Sequence, residues 1–436
     1  MALLAAMAAA REHYPPAPLI VDGEEQLWLA DLQAADVAVL EQLPRPSVVA
    51  LLGDFDAWSI RCLLSLLEAG HVVVPLTAAS SSQHEHFLAA SHATHLLAAG
   101  RLEALPAGSG GRPPILDDLL GEGSGGIVLF TTGTTGPPKA ILHRATSLTG
   151  RFGRRRPALV SLGFLLFDHI GGLNTFLHLA FNGGTLVRTR ERRPEPVLAL
   201  CRRHGVELLP TTPTFLRLLC LHPGLVEQVP ASLRLISYGT ERMDPGTLEH
   251  LHRLLPEVVF RQTYGLSELG ILTVHGKASD SLYFRIAEEE GVRVRITDGS
   301  LRILAPGRML GYLNAPSPFD AEGWLDTGDL VAEDAEGWYT ITSRRSNVIN
   351  VGGLKVLPSE IEAVAHRFAG VLRCQARGVA NPITGEHAEL VVEPQPGVEL
   401  DLAALRVHLA AGLPAWKRPA RIRCAPLAVS HRMKLA

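Results

Sequence analysis

Residues 48–76 read VVALLGDFDAWSIRCLLSLLEAGHVVVPL, and this stretch decides the fold. Val48-Val49-Ala50-Leu51-Leu52 is a continuous apolar run closed by Gly53, the pattern of a strand buried on both faces. Ile60 to Ala69 carries helical spacing, and Val72-Val73-Val74-Pro75-Leu76 repeats the buried-strand pattern. Strand, helix and strand in that order predict a parallel α/β sheet.

Working outward, the opening MALLAAMAAA has no basic residue before Arg11 and predicts a helix rather than a signal peptide. Gly108 to Gly126 is polar and glycine-rich and reads as a loop before the strand Ile127-Val128-Leu129-Phe130. Strands and helices alternate again from Leu159 to Cys220, with strand ends at Leu186-Val187 and at Val206 to Pro210. From Leu282 to Ile341 short alternating runs, such as Val292 to Ile296 and Leu301 to Leu304, predict antiparallel β. Mixed α/β texture returns after Arg344-Arg345-Ser346-Asn347. A boundary there divides the chain into a large unit, 1–342, and a small one, 343–436.

Composition excludes several classes of function. With 47% hydrophobic residues over 436 positions the chain is too apolar to be disordered. A net charge of −3 argues against nucleic-acid binding through bulk positive charge. The five cysteines are odd in number and form no CxxC pair, which excludes a disulfide framework or a zinc site and fits reduced thiols in the cytoplasm. No apolar run approaches the roughly 18 residues of a membrane span. Only five of the basic residues are lysine: Lys139, Lys277, Lys355, Lys417 and Lys434.

Two glycine-rich segments invite a phosphate-binding reading. Gly121 to Gly126 spells GxGxxG, but it precedes a strand instead of following one, so it reads as a loop. TTGTTGPPKA, Thr131 to Ala140, follows the strand ending at Phe130. Its glycines are three apart and Ala140 stands where a Walker loop needs a hydroxyl. Pro137-Pro138 also opposes a helix start. What the segment does offer is glycine N–H groups, the hydroxyls of Thr131, Thr132, Thr134 and Thr135, and the point charge of Lys139.

TTGTTGPPKA resembles the T-S-G-T-T-G-x-P-K-G signature of the adenylate-forming superfamily of acyl- and aryl-CoA synthetases, adenylation domains and luciferases. Further segments resemble the family's motifs in the family's order. Tyr264-Gly265-Leu266-Ser267-Glu268 resembles Y-G-x-T/S-E, and Thr327-Gly328-Asp329 resembles T-G-D. Ser343 to Val356 resembles the hinge region, and Pro426 to Lys434 loosely resembles P-x-x-x-x-G-K. Phe167 to Asn174, Ser237 to Glu241, Asn381 to Glu386 and Trp416 to Pro419 resemble secondary landmarks. The sequence departs from the pattern at Ser343, Ser346, Ala428 and Met433, and the segment before the first loop is shorter than is usual in the family.

The resemblance implies an α/β fold with a large N-terminal domain of parallel α/β sheets and a small β-barrel portion. A small mobile α+β C-terminal domain follows it. It places Thr131, Thr132, Gly133, Thr134, Thr135, Gly136, Lys139 and Ser267 on the phosphates of ATP, and Glu268 on Mg²⁺. Gly239, Thr240, Glu241, Tyr264, Asp329 and Arg344 would hold adenine and ribose. His169, Asn174, Tyr238 and Gly265 would form the acyl pocket, with His169 gating it. Gly352 and Gly353 would line a thiol tunnel, Ser346 would be the hinge, and Lys434 would neutralise charge between the substrate carboxylate and the α-phosphate. The implied activity is an ATP-dependent acid–thiol ligase that forms an acyl-adenylate and then a thioester with CoA. A carrier-protein pantetheine is the alternative acceptor, and a non-catalytic nucleotide-binding member of the fold is the alternative function.

Overall fold

The computed structural model describes residues 3–33, 38–44, 46–106, 111–131, 137–382 and 384–430. Val48–Leu52 pairs in parallel with Val72–Leu76 on one side and His95–Ala98 on the other, and both expected strands are buried almost throughout. Helix Ala57–Glu68 connects them. Its first turn is capped by Asp56, whose carboxylate accepts the Ser59 N–H at 2.8 Å, satisfying one of the donors a helix start leaves open. A Cβ at Gly53 would lie 2.3 Å from the Ser59 hydroxyl oxygen, so the turn from strand into helix requires glycine. Gly126–Phe130 extends the parallel pairing, and antiparallel strands complete a seven-stranded sheet.

A second seven-stranded sheet is parallel through Val160–Gly163, Thr185–Arg188, Leu208–Thr211, Leu235–Tyr238 and Val259–Gln262. Helices Ala57–Glu68 and Ile170–Phe181 share one apolar core with residues of both sheets, including Val49, Ile127 and Leu186. The carboxyl ends of the two sets of strands are tied together. Arg188, at the end of one strand, pairs with Asp54 at 3.1 Å, just beyond another. Thr77 donates to Asp168 at 2.8 Å. Ligands of open α/β sheets bind outside such carboxyl ends.

The antiparallel region expected after Leu282 is a six-stranded sheet that includes Ser300–Leu304, Leu325–Glu333 and Tyr339–Arg344. Its edge strands do not pair with each other among the described residues, so the expected β-barrel portion is an open sheet. The C-terminal part has its own five-stranded sheet. Helices Pro358–Ala365 and Leu402–Gly412 pack on it around a core drawn only from positions between Ile349 and Ile422.

One local expectation is corrected. Residues Pro114–Glu122 form a helix inside the stretch read as a loop: Pro114 stands at its start, Leu116, Leu119 and Leu120 are buried, and Gly123 ends it at φ +62°. The Thr131 segment joins two strands, because Ala140–Arg144 runs antiparallel to Gly126–Phe130. Opposition of Pro137-Pro138 to a helix left a hairpin as the remaining short connection. All five cysteines are unpaired, and no described helix is long and apolar enough to cross a membrane.

Candidate active site

The base of the Thr131 segment is closed by two hydrogen bonds: Thr131 N–H to the Lys139 carbonyl, and Lys139 N–H to Thr131 Oγ1, both at 3.1 Å. Asn314 clamps the returning strand, its Oδ1 accepting the Ala140 N–H at 2.8 Å and its Nδ2 donating to the Pro138 carbonyl at 3.0 Å. Thr132, Gly133, Thr134, Thr135 and Gly136 lie outside the described residues, as does Lys434. Lys139 Nζ stands 4.9 Å from the ring centre of Tyr312, and the Tyr312 hydroxyl donates to Glu268 Oε1 at 2.7 Å. The lysine and the glutamate therefore share one aromatic spacer.

Glu268 lies in the turn between strands Tyr264–Leu266 and Gly270–Leu272. That hairpin is tight. A Cβ at Gly265 would come within 2.6 Å of the Gly270 carbonyl oxygen. The turn is held from below by His143, whose Nε2 is 2.6 Å from the Ser267 carbonyl oxygen. Burial pushes the His143 imidazole down to about 4, so the ring is neutral at pH 7 and Nε2 carries the donated proton. Met309 N–H adds a bond to the Glu268 carbonyl at 2.7 Å.

At the other end of the same hairpin, the Tyr264 hydroxyl donates to Asp329 Oδ2 at 2.7 Å. Arg344 Nε donates to Asp329 Oδ1 at 2.9 Å, across directly paired strands. Asp329 is 4% exposed, whereas the Arg344 side chain is 58% exposed, so the pair presents its cation to solvent. Burial, and then the neighbouring carboxylate, raise the Tyr264 phenol well above its ordinary range. Its ring packs against Phe284, with centroids 5.7 Å apart, which leaves the residue 6% exposed.

The Ser237–Glu241 segment leaves the strand Leu235–Tyr238. A Cβ at Gly239 would lie 2.3 Å from Thr263 Oγ1, and Thr240 adopts φ +70°, a left-handed conformation that a β-branched residue holds only under constraint. Glu241 is committed locally, with Oε2 accepting the Thr214 N–H at 3.1 Å and the Thr214 hydroxyl at 2.8 Å. His169 caps helix Ile170–Phe181 by accepting the Gly171 N–H at 3.2 Å. His169 and Thr240 line one narrow crevice together with Thr212 and Arg192. Tyr238, Asn174 and Gly265 do not line it. Tyr238 is 2% exposed inside the second sheet's core, where burial raises its phenol.

Gly352 and Gly353, at φ +59° and +86°, form the two-residue turn between Ile349–Val351 and Leu354–Val356. Two consecutive positive φ values demand glycine-like residues. Gly353→Ala is expected to cost about 1–2 kcal/mol, read as a lower melting temperature than that of the parent chain. Ser346 sits in the short helical turn Arg345–Asn347 and is exposed. Sequence reasoning missed Tyr312, Asn314 and His143. None lies in a cluster or a periodic run, and their partners are 44 to 176 positions away.

Residues 122–318 match the AMP-binding enzyme family. That match spans 197 of the 436 residues of the chain. Among curated relatives, feruloyl-CoA synthase of Amycolatopsis sp is 28% identical over 415 residues, covering 83% of this chain and 82% of that protein. The fatty acid–acyl-carrier-protein ligase ScoC of Streptomyces coeruleorubidus is 30% identical over 330 residues, covering 67% and 62%. The chain spans 56% to 62% of the length of three of the curated relatives it matches. The anthranilate CoA ligase AuaEII bound to anthranoyl-AMP superposes with a TM-score of 0.81 at 16% identity, over 99% of this chain and 95% of that one. This likeness shows that the chain shares the fold of that ligase.

Proposed function

We propose that the chain is an ATP-dependent carboxylate-activating ligase that forms an acyl-adenylate and then a thioester, with CoA as the thiol. The observation that carries the reading is the hairpin Tyr264–Leu272. It holds Asp329 and Arg344 through Tyr264 and, through Tyr312, brings Glu268 to Lys139. Residues from four distant motifs thus meet on one element beyond the carboxyl ends of the parallel strands.

In this reading Asp329 and Arg344 hold the ribose, and the Thr131 loop with Lys139 holds the phosphates. Glu268 fits a Mg²⁺ ion. Oε1 is taken by Tyr312, which leaves Oε2 as a hard oxygen donor, and no group of three or more potential ligands exists among the described residues. Mg²⁺ characteristically takes one or two carboxylates plus phosphate and water, and there it would neutralise charge on the phosphates. The substrate carboxylate oxygen attacks the α-phosphorus, and the bond to pyrophosphate breaks. Lys434 is assigned the charge that develops between them. The thiol sulfur then attacks the acyl carbon, and AMP leaves. Residues 343–436 are read as a lid that turns about Ser346 and brings Gly352-Gly353 to the thiol path. Its separate core supports that division. The unpaired thiols fit a cytoplasmic enzyme.

ATP–pyrophosphate exchange with a panel of fatty, aryl and short-chain acids tests the proposal. Exchange with at least one acid, followed by CoA-dependent thioester formation, is the expected result. ATP binding without exchange on any acid would make the chain a non-catalytic nucleotide binder.

A further inference from the structure

Four arginines that are close in sequence, Arg151, Arg154, Arg155 and Arg156, part company in the fold. Arg154, Arg155 and Arg156 are exposed, and Arg154 pairs with Glu289. Arg151 turns inward. It stands in the short helical turn Gly150–Phe152, and its Nη1 donates to the Ile271 carbonyl at 2.7 Å. That carbonyl belongs to the returning strand of the hairpin that carries Glu268. The guanidinium also fills the space that side chains at two glycines would need. A Cβ at Gly270 would lie 2.6 Å from Nη2 and 2.7 Å from Nη1, and one at Gly307 would lie 3.0 Å from Nη2.

Each of these contacts borders Glu268. Gly270 pairs with Leu266 and so closes the Glu268 turn. Gly307 lies in the turn 305–308, closed by the Arg308 N–H on the Ala305 carbonyl at 3.2 Å, and the next residue, Met309, holds the Glu268 carbonyl at 2.7 Å. His143 Nε2 holds the Ser267 carbonyl at 2.6 Å. Chain order links these clamps to the phosphate segment. Strand Ala140–Arg144, which starts next to Lys139, runs into helix Ala145–Thr149 and then into the turn that carries Arg151. One continuous segment, 139–152, therefore bears Lys139 and two of the clamps on the glutamate turn. A hydrogen bond from a charged donor is stronger than a neutral one. A planar guanidinium wedged between two backbones leaves the turn little room to shift.

We propose that Arg151 is a positioning residue that holds the Glu268 turn at a fixed distance from Lys139, so that the Glu268 carboxylate is in place for the Mg²⁺ that accompanies ATP. Arg151 acts through Glu268 and touches no reacting group. The inference rests on the nucleotide and metal assignments of the ligase reading above. It predicts that loss of Arg151 weakens what the metal contributes to ATP binding and spares what the protein contributes without the metal.

The test measures the ATP Kd by titration calorimetry in Mg²⁺ and in EDTA, for the full chain, Arg151→Met, Arg151→Lys, Glu268→Gln and the double variant Arg151→Met with Glu268→Gln. The ratio of the two Kd values is the gain from the metal. Groups that orient a metal ligand are typically worth about 10–100-fold in metal affinity or activity. Arg151→Met is therefore expected to remove most of the gain, to leave the Kd in EDTA nearly unchanged, and to slow ATP–pyrophosphate exchange by about 10-fold or more. Added to Glu268→Gln it should cost little further, because the two residues act as one unit. Arg151→Lys keeps a donor for Ile271 but loses the planar fork, and should fall between. An equal loss of ATP affinity in both conditions, an undiminished gain, or a full further loss in the double variant overturns the inference alone. If Mg²⁺ gives the full chain no gain, or Glu268→Gln leaves the gain intact, the metal assignment of Glu268 falls and the inference with it. Mg²⁺-dependent ATP binding without exchange on any acid overturns the ligase reading, while the Kd ratios still decide the role of Arg151. Melting curves separate misfolding from lost positioning. If Arg151→Met fails to fold, folded Arg151→Lys decides, an undiminished gain there overturning the inference.

Discussion

Asp329→Ala is expected to lower both stability and ATP affinity, and the two losses are separable. The substitution removes the acceptor of the Tyr264 hydroxyl, which is buried. A buried donor left without a partner costs about 1–3 kcal/mol. The freed Arg344 adds little, because its side chain is 58% exposed and water takes over the lost bond. A drop of several degrees in melting temperature is the expected reading. In a Tyr264→Phe background the donor is already gone, so Asp329→Ala should cost much less stability there. The nucleotide effect should persist in both backgrounds. If Asp329 accepts bonds from the ribose, the two together at about 1 kcal/mol or more each predict a rise in the ATP Kd of at least about 30-fold, measured by titration. An unchanged Kd would confine Asp329 to holding the hairpin.

Glu268→Gln is expected to act on rate and leave the fold nearly untouched. The amide oxygen still accepts the Tyr312 hydroxyl, and the Glu268 carbonyl still accepts from Met309. What disappears is the negative charge on Oε2. Loss of one preorganised electrostatic element in a transition state is typically worth about 10²–10³ in rate, and a fall of that size in ATP–pyrophosphate exchange is expected. The melting temperature should change by no more than a degree or two. Tyr312→Phe keeps the ring beneath Lys139 and removes only the bond to Glu268, so its effect on exchange should be several-fold smaller than that of Glu268→Gln. Equal effects would mean that Glu268 serves mainly to anchor Tyr312.

The core was legible in the sequence because parallel strands buried on both faces must be written as unbroken apolar runs. Val48–Leu52 and Val72–Leu76 are written that way. The helix Pro114–Glu122 was hidden by its neighbours. Gly108 to Gly111 before it and Gly121 to Gly126 around its end mask a buried leucine face of three residues. The strand after Pro137-Pro138 was hidden for a different reason, since proline excludes a helix without naming what replaces it.

The site divides in the same manner. Motif letters singled out Glu268, Asp329 and Arg344 as candidates, because the chemistry open to a carboxylate or a guanidinium is carried by residue type. They did not reveal that Asp329 spends both oxygens on Tyr264 and Arg344, nor that Glu241 is spent on Thr214. Those are products of strand register and helix placement. Tyr312 and His143 become visible only when strands Gly311–Tyr312 and Ala140–Arg144 lie side by side and present them to the hairpin.

The hairpin Tyr264–Leu272 also fixes a length. Its register pairs Tyr264 with Leu272 and Leu266 with Gly270, so the anchor for Asp329 and the turn holding Glu268 are separated by a set number of pleats. Successive residues of a strand alternate faces. One residue added between them would turn the Tyr264 ring to the opposite side while Glu268 stayed in place. Under the proposed function, residue count in this hairpin would gauge the distance from sugar to phosphate, and substitutions that preserve that count would leave the gauge intact.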